Sequence, residues 1–192
     1  MSTAPRYEPR STVADWRQWE GRWELWNGLA VAMTPSPFGR HAKALTDAAA
    51  AFKYAVDDAE NRPGGCRATV LTEIDWIVAH DTVVRPDLVV VCGGVPERHV
   101  ETAPAIVVEI LSPATRERDL TVKKDLYLDQ GVAWYVVVDP DDGTVELFER
   151  VATGATARWT SHPVGSGTAD IMICDRCRVT VPLAALTAAR GA

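Results

Sequence analysis

No apolar run in this 192-residue chain approaches the ~18 residues that a membrane-crossing helix needs. Basic residues are outnumbered: 20 Lys and Arg against 26 Asp and Glu leave a formal net charge of −6. That balance argues against a protein that coats nucleic acid through a broad basic surface. It leaves room for an enzyme with a local basic groove, because part of the acidic excess could surround a cation. Cysteine is scarce: Cys66, Cys92, Cys174 and Cys177 are too few and too scattered to read as a disulfide scaffold. The opening stretch MSTAPRYEPRSTVADWRQWE has no apolar core of a secretory signal. The expected setting is therefore cytoplasmic and reducing, with the cysteines as ordinary thiols. Internal repeats are absent, and the one low-complexity run is the alanines 48 to 51.

What remains suits one globular domain with a sizeable core, at 47% hydrophobic residues. Residues 1 to 15 read as a flexible arm and 16 to 192 as the domain. WRQWEGRWELWNG packs tryptophans 16, 19, 23 and 26 close together, as in an amphipathic helix or strand pinned by large side chains. A helix is expected from His41 to about Glu60, where helix formers dominate. ATVLTEIDWIVA, VVRPDLVVVC and APAIVVEIL read as a three-strand meander. One helix from about Thr115 to Gln130, stopped by Gly131, leads into the strand AWYVVVD. DPDDG then turns the chain into TVELFER, and the last forty residues carry further strands and the short helix PLAALTAA. The IVVEIL–helix–WYVVVD unit has the length of a right-handed parallel crossover. The expected class is α/β (α+β): a single domain with a mixed sheet core flanked by helices.

Within that frame Glu109 is costly. An unpaired carboxylate in a buried strand costs several kcal/mol, so it must be neutral, paired or bound to a cation. Asp87 begins the preceding strand, and adjacent antiparallel strands could bring it to the same end of the sheet. Two carboxylates so placed repel unless something positive lies between them, and Mg²⁺ takes one or two carboxylates plus waters. Asp119, Lys123 and Tyr127 follow at i, i+4 and i+8, drifting only about 80° around a helix that packs back over Glu109. A lysine there could orient a water and stabilise developing negative charge. Bland readings stand beside these. Asp87 could close a turn, Glu109 could form a structural pair with Lys123, and Tyr127 could simply pack on the sheet. CDRC at 174 to 177 lacks a second ligand pair, which leaves it a weak zinc signal.

PD, an apolar strand with an acidic residue, and a lysine together resemble the PD-(D/E)XK nuclease superfamily. LSPATRERDLTVKKDLYLDQGVAWYVVVDP is similar to the Uma-type restriction-endonuclease family within it. The resemblance rests on Ser112-Pro113, Asp119, Lys123, Tyr127, Gly131-Val132 and Asp139-Pro140, with Glu24, Gly28, Met33, Pro35 and His41 upstream. It covers residues 20 to 150. Leu111 stands where the superfamily has its E-X-K lysine, and Asn27 and Leu29 where the family often has acidic residues. The resemblance implies a restriction-endonuclease-like fold and hydrolysis of nucleic acid, DNA above all, by a homodimer. It implies that Asp87, Glu109 and the Ile110 carbonyl hold Mg²⁺ or Mn²⁺ while Lys123 positions the attacking water. Glu24 either joins this catalytic set from behind or is merely solvated, and Asp119 and Tyr127 support it. Arg40, His41, Arg116 and Arg118 are the expected phosphate contacts, although His41 could instead cap a helix. Two other readings stay open: a non-catalytic interaction protein that keeps the nuclease fold and metal site, and a phosphohydrolase acting on a small molecule.

Overall fold

The computed structural model describes residues 10–33, 39–153, 156–164, 167–175 and 177–187. Thr12 caps the first short helix, α1 (Val13–Trp16), through a reciprocal capping box with Asp15. Residues 11 to 15, expected within a loose arm, are docked. The Ser11 amide donates to the Gly28 carbonyl and the Val13 amide to that of His80, and Val13 is buried. The rest of the expected arm, residues 1–9, lies outside the described residues.

The tryptophan-rich stretch continues into β1 (Trp23–Trp26), which pairs with β2 (Leu29–Ala32) around Asn27 and Gly28. Both turn residues have positive φ, 48° and 81°. Asn-Gly suits the turn that joins two twisted strands tightly. Gly28 is needed for a second reason: a Cβ there would stand 2.6 Å from the Cβ of Arg10. The long helix α2 (Gly39–Glu60) buries a stripe rich in alanine, including Ala44, Ala48, Ala51 and Ala55. Those small side chains let it lie close to the sheet.

Two of the three expected strands break in the middle. ATVLTEIDWIVA yields β3 (Ala68–Thr72) and β4 (Trp76–Ala79). The second run yields β5 (Thr82–Val84) and β6 (Leu88–Cys92). β3 pairs with β6 and β4 with β5, both antiparallel, so the four form one long hairpin bent at its waist. Pro86 has no N–H for a ladder, Glu73 has φ 49°, and the Arg85 guanidinium grips Asp75 with bonds of 2.7 and 2.8 Å. The bend corrects the expected meander. β4 and β5 join the first hairpin in a four-stranded sheet ordered β2-β1-β5-β4.

β3 and β6 join β7 (Ile106–Ile110), β8 (Trp134–Asp139), β9 (Thr144–Thr153) and β10 (Thr156–His162) in a mixed sheet ordered β10-β9-β8-β7-β6-β3. β7 and β8 are its parallel pair, as the crossover pattern requires. The crossover itself is not one regular helix. It comprises α3 (Arg116–Arg118), a π-helical turn Asp119–Lys123 and α4 (Lys124–Asp129). The described residues close with a separate hairpin, β11 (Thr168–Ile173) with β12 (Cys177–Pro182), and α5 (Leu183–Thr187).

The cysteines are paired, against the expectation of ordinary thiols: Cys66 with Cys177 and Cys92 with Cys174. Sequence separations of 111 and 82 residues hide that proximity from any reading along the chain. The class is as expected, a single α+β domain around a mixed sheet. Among the described residues no helix is long and apolar enough to cross a membrane.

Alternation along β7 sorts the two faces of the large sheet. Ile106, Val108 and Ile110 pack in the main core with α2 and α5, while Val107 packs with Trp76, Tyr127 and Tyr135. Glu109, two residues on from Val107, points to this second side.

Candidate active site

The β6–β7 register sets Leu88 opposite Val108, so the next residue back, Asp87, comes beside Glu109. Here β6 has ended, and the edge of β7 would be left unpaired. Asp87 takes the place of the missing strand: its Oδ2 accepts from the Ile110 amide at 2.7 Å. An extended residue presents its N–H and C=O on the same edge, so the Ile110 carbonyl faces this side too. On the other side of Asp87, His41 Nε2 from the first turn of α2 stands 3.4 Å from Oδ1.

Glu109 has company from the crossover. Lys123 Nζ donates to its Oε1 at 2.9 Å, and the Tyr127 hydroxyl donates to the same oxygen at 2.6 Å. The Lys123 ammonium is also 3.4 Å from Asp119 Oδ1 and 3.6 Å from Glu24 Oε1. Glu24 arrives from the other sheet, on β1. Its Oε1 accepts from the Arg85 amide at 2.9 Å and its Oε2 from Trp26 Nε1 at 3.0 Å, with Arg118 at 3.6 Å. Glu24, Glu109, Asp119 and Lys123 are all buried. Glu24 is therefore part of the charge cluster rather than a solvated carboxylate. Tyr135 on β8 completes the packing: its hydroxyl donates to the Asp119 carbonyl at 2.8 Å and its ring meets Tyr127 edge-on.

Four carboxylates thus gather around Lys123, Arg118 and His41, and the charge balance governs their protonation. Burial pushes the Glu109 carboxyl well above its usual range; Lys123 opposes this, while Asp119 and Asp87 add to it. Burial also raises Asp119 despite Lys123. For Lys123 burial works against the charge, but Glu109, Glu24, Asp119 and Asp87 outweigh it and lift its pKa. Burial likewise opposes the charge on Asp87, and the His41 ring overcomes it, holding Asp87 below its usual value.

Two observations fit a divalent cation here. Asp119 Oδ1 is buried and makes no hydrogen bond among the described residues, with the Lys123 ammonium 3.4 Å away, and the oxygens of Asp87, Glu109 and Ile110 are the hard donors that Mg²⁺ or Mn²⁺ prefers. Among the described residues no group of three or more His, Cys, Asp or Glu side chains forms a ready cage. Mg²⁺ does not need one, since waters complete its shell.

The expected phosphate contacts divide. Arg40 meets Asp141 at 3.2 Å, and Arg116 meets Asp139 at 2.6 Å and Asp142 at 3.8 Å. Both therefore stand on the rim formed by the turn after β8. Arg118 turns inward onto Glu24. A cleft of about 430 Å³ lined by Arg40, His41, Ser112, Pro113 and Asp141 leads to Asp87 through His41. A larger cleft of about 790 Å³ opens on the four-stranded sheet, lined by Trp16, Trp19, Trp23 and Arg98. Neither cleft is lined by Asp87, Glu109 or Lys123; the smaller one connects to the charge cluster through His41, 3.4 Å from Asp87.

Sequence reading alone missed Tyr135, Trp26 and Arg85. Tyr135 meets Asp119 of the crossover and Arg85 meets Glu24 from 61 residues away, which no spacing signals; Trp26 stands two residues from Glu24 on β1, a same-face spacing that could have found it. The Pro86 break was the available clue to the bend, since a proline seldom sits within a paired strand.

A solved structure from Anabaena variabilis, described as a putative nuclease belonging to DUF820, superposes with a TM-score of 0.66 at 16% identity. The alignment covers 93% of this chain and 98% of that one, and at such identity the likeness carries the fold. No curated protein matches the chain. A family model, Uma2, described as "Putative restriction endonuclease", matches residues 13–180, from α1 into β12. That match spans both sheets and every residue of the charge cluster, and the chain belongs to the Uma2 family.

Proposed function

We propose that this protein is a metal-dependent endonuclease that hydrolyses phosphodiester bonds in DNA. One observation supports the reading above all: a buried ammonium, Lys123, 2.9 Å from Glu109, with Asp87 beside Glu109 on the neighbouring strand. Asp87, Glu109 and the Ile110 carbonyl would hold Mg²⁺ or Mn²⁺. The ion, when bound, neutralises charge on the scissile phosphate and acidifies a water.

The remaining work belongs to the chain's own groups. Lys123, kept charged by its carboxylates, acts as a donor and not as a general base. It orients the water for attack and hydrogen-bonds the phosphoryl oxygen as charge develops there. Asp119 and Glu24 hold that ammonium in place, and Tyr127 fixes the Glu109 oxygen that Lys123 leaves for its task. Arg40 and His41 would face phosphates along the smaller cleft and Arg116 from the turn after β8, while Arg118 acts from behind, through Glu24. Cleavage of a duplex needs two such sites, which a homodimer would supply, and the cytoplasm is where the substrate would be met.

Calorimetric titration with Mn²⁺ and Mg²⁺ tests this, on wild type and Glu109→Ala, with plasmid and single-stranded cleavage run alongside. Loss of both binding and cleavage in the variant is the expected result; absence of binding by the wild type would sink the metal site. A second reading, a non-catalytic interaction protein, draws support from the net charge of −6 and from the carboxylate partners of Arg40, Arg116 and Arg118. Metal binding without cleavage of any nucleic acid would favour it.

A further inference from the structure

Far from the charge cluster, the fold brings all four cysteines to one corner. Cys66 lies just before β3 and Cys92 ends β6, and these strands are paired with Ala68 opposite Cys92. A bond of 2.8 Å from the Gly93 amide to the Arg67 carbonyl extends the pairing past that point. Cys66 and Cys92 therefore flank one end of the β3–β6 pair. Cys174 and Cys177 flank the turn of the β11–β12 hairpin, where Ile173 is opposite Cys177. The backbone there coils through positive φ at Cys174 and Asp175. Cα–Cα distances are 5.5 Å for Cys66–Cys177 and 5.6 Å for Cys92–Cys174. Each bond thus joins the same sheet corner to the same hairpin turn.

The two members of the C-x-x-C do not pair with each other, as those of a thioredoxin-like redox dithiol would. Each faces a different partner across the gap. An isolated C-x-x-C is a weak ligand signal for want of a second pair; the fold supplies that pair in Cys66 and Cys92. Bonded in pairs the four sulfurs form no ready metal cage; freed by reduction, four cysteine sulfurs delivered two by two, one pair from a C-x-x-C turn, are the donor set of a closed structural zinc site.

We propose that Cys66, Cys92, Cys174 and Cys177 form a tetrathiolate zinc site when reduced, and that the two disulfides are the oxidised state of the same four sulfurs. Two equivalents of a dithiol reductant deliver four electrons and four protons, breaking both S–S bonds and leaving four thiols and two oxidised dithiols. Zn²⁺ then forms four Zn–S bonds and displaces the four thiol protons. Cys92 is exposed, which opens the site to the reductant. Either state ties the β11–β12 hairpin to the large sheet. In the reduced, metal-free state the hairpin keeps its packing on α2 and α5 and the bond of 2.9 Å from Trp134 Nε1 to the Met172 carbonyl.

Cobalt(II) titration of the full-length chain, reduced and freed of reductant, tests the proposal. The expected result is one tightly held Co²⁺ per chain with thiolate-to-metal charge-transfer absorption and intense tetrahedral visible bands, displaced by Zn²⁺. Cobalt bound instead by Asp87 and Glu109 gives no thiolate band, so the two sites are distinguished. The double variant Cys174→Ser, Cys177→Ser should lose the band. If that variant does not fold, thiol alkylation of the wild type provides the readout: Zn²⁺ should protect all four cysteines and a chelator should expose them. A reduced wild type that shows no thiolate band, or whose thiols Zn²⁺ leaves unprotected, overturns the site.

Discussion

Glu109 and Lys123 are bonded at 2.9 Å, yet their removal should have opposite effects. Lys123 serves three carboxylates at once, so Lys123→Met leaves Glu24, Glu109 and Asp119 facing one another without their ammonium. Uncompensated buried charge of this kind costs about 3–5 kcal/mol, which thermal melts in chelator should register as a large loss of stability. Glu109→Gln instead removes one carboxylate from a cluster with too many, and its amide can still accept from Tyr127. Its metal-free stability should lie within about 1 kcal/mol of wild type or above it. Cleavage should nonetheless fall by about 100-fold or more, because charge stabilisation at the reacting centre is lost. A Glu109→Gln chain that melts several kcal/mol below wild type would mean that the carboxylate serves the fold alone.

At the scale of elements, the bend in the β3–β6 hairpin and the π-helical turn bring the site together. Both interrupt a pattern that reads as regular in the sequence: Pro86 and Asp87 sit inside an apolar run, and Asp119 to Lys123 inside a good helical stretch. Regular patterns were legible because burial on one or two faces dictates them, and β7, β8 and α2 lie where periodicity puts them. Interruptions were not, because they depend on partners far along the chain, such as Glu24, 61 residues back, for the Arg85 amide. The turn after β8 shows the same dependence in a form open to test. Asp139 accepts from the amides of Asp141 and Asp142 and from Arg116. Burial pushes its pKa upward, but Arg116 and the two amides outweigh it, and the folded value lies below the ordinary 3.8. A depressed carboxyl pKa stabilises the fold above the unfolded value and stops doing so as pH falls through the folded one. Asp139→Asn should cost about 1–2 kcal/mol at neutral pH, and the gap to wild type should close in melts below the folded pKa.

Across the whole molecule, acidity and function pull in different directions. With a net charge of −6, contact with a polyanion must come from a few positions, and under the proposed function these are Arg40, which lines the smaller cleft, and Arg116, on the turn after β8. Two phosphate contacts give a salt slope for duplex binding of about −2, far shallower than that of a protein using a broad basic face. Fluorescence anisotropy with a short duplex across a salt series measures it, and a slope several times steeper would place the nucleic acid on another surface. The class of fold, the parallel crossover and the acid–lysine set are properties of the chain's local patterning, because periodic burial and short-range spacing are written residue by residue. Only the tertiary structure decided that Glu24 reaches the cluster from a second sheet, that Arg118 faces inward and that four scattered cysteines meet. Each of these is a contact between segments remote in sequence, and such proximity exists only after the two sheets and the β11–β12 hairpin have packed together.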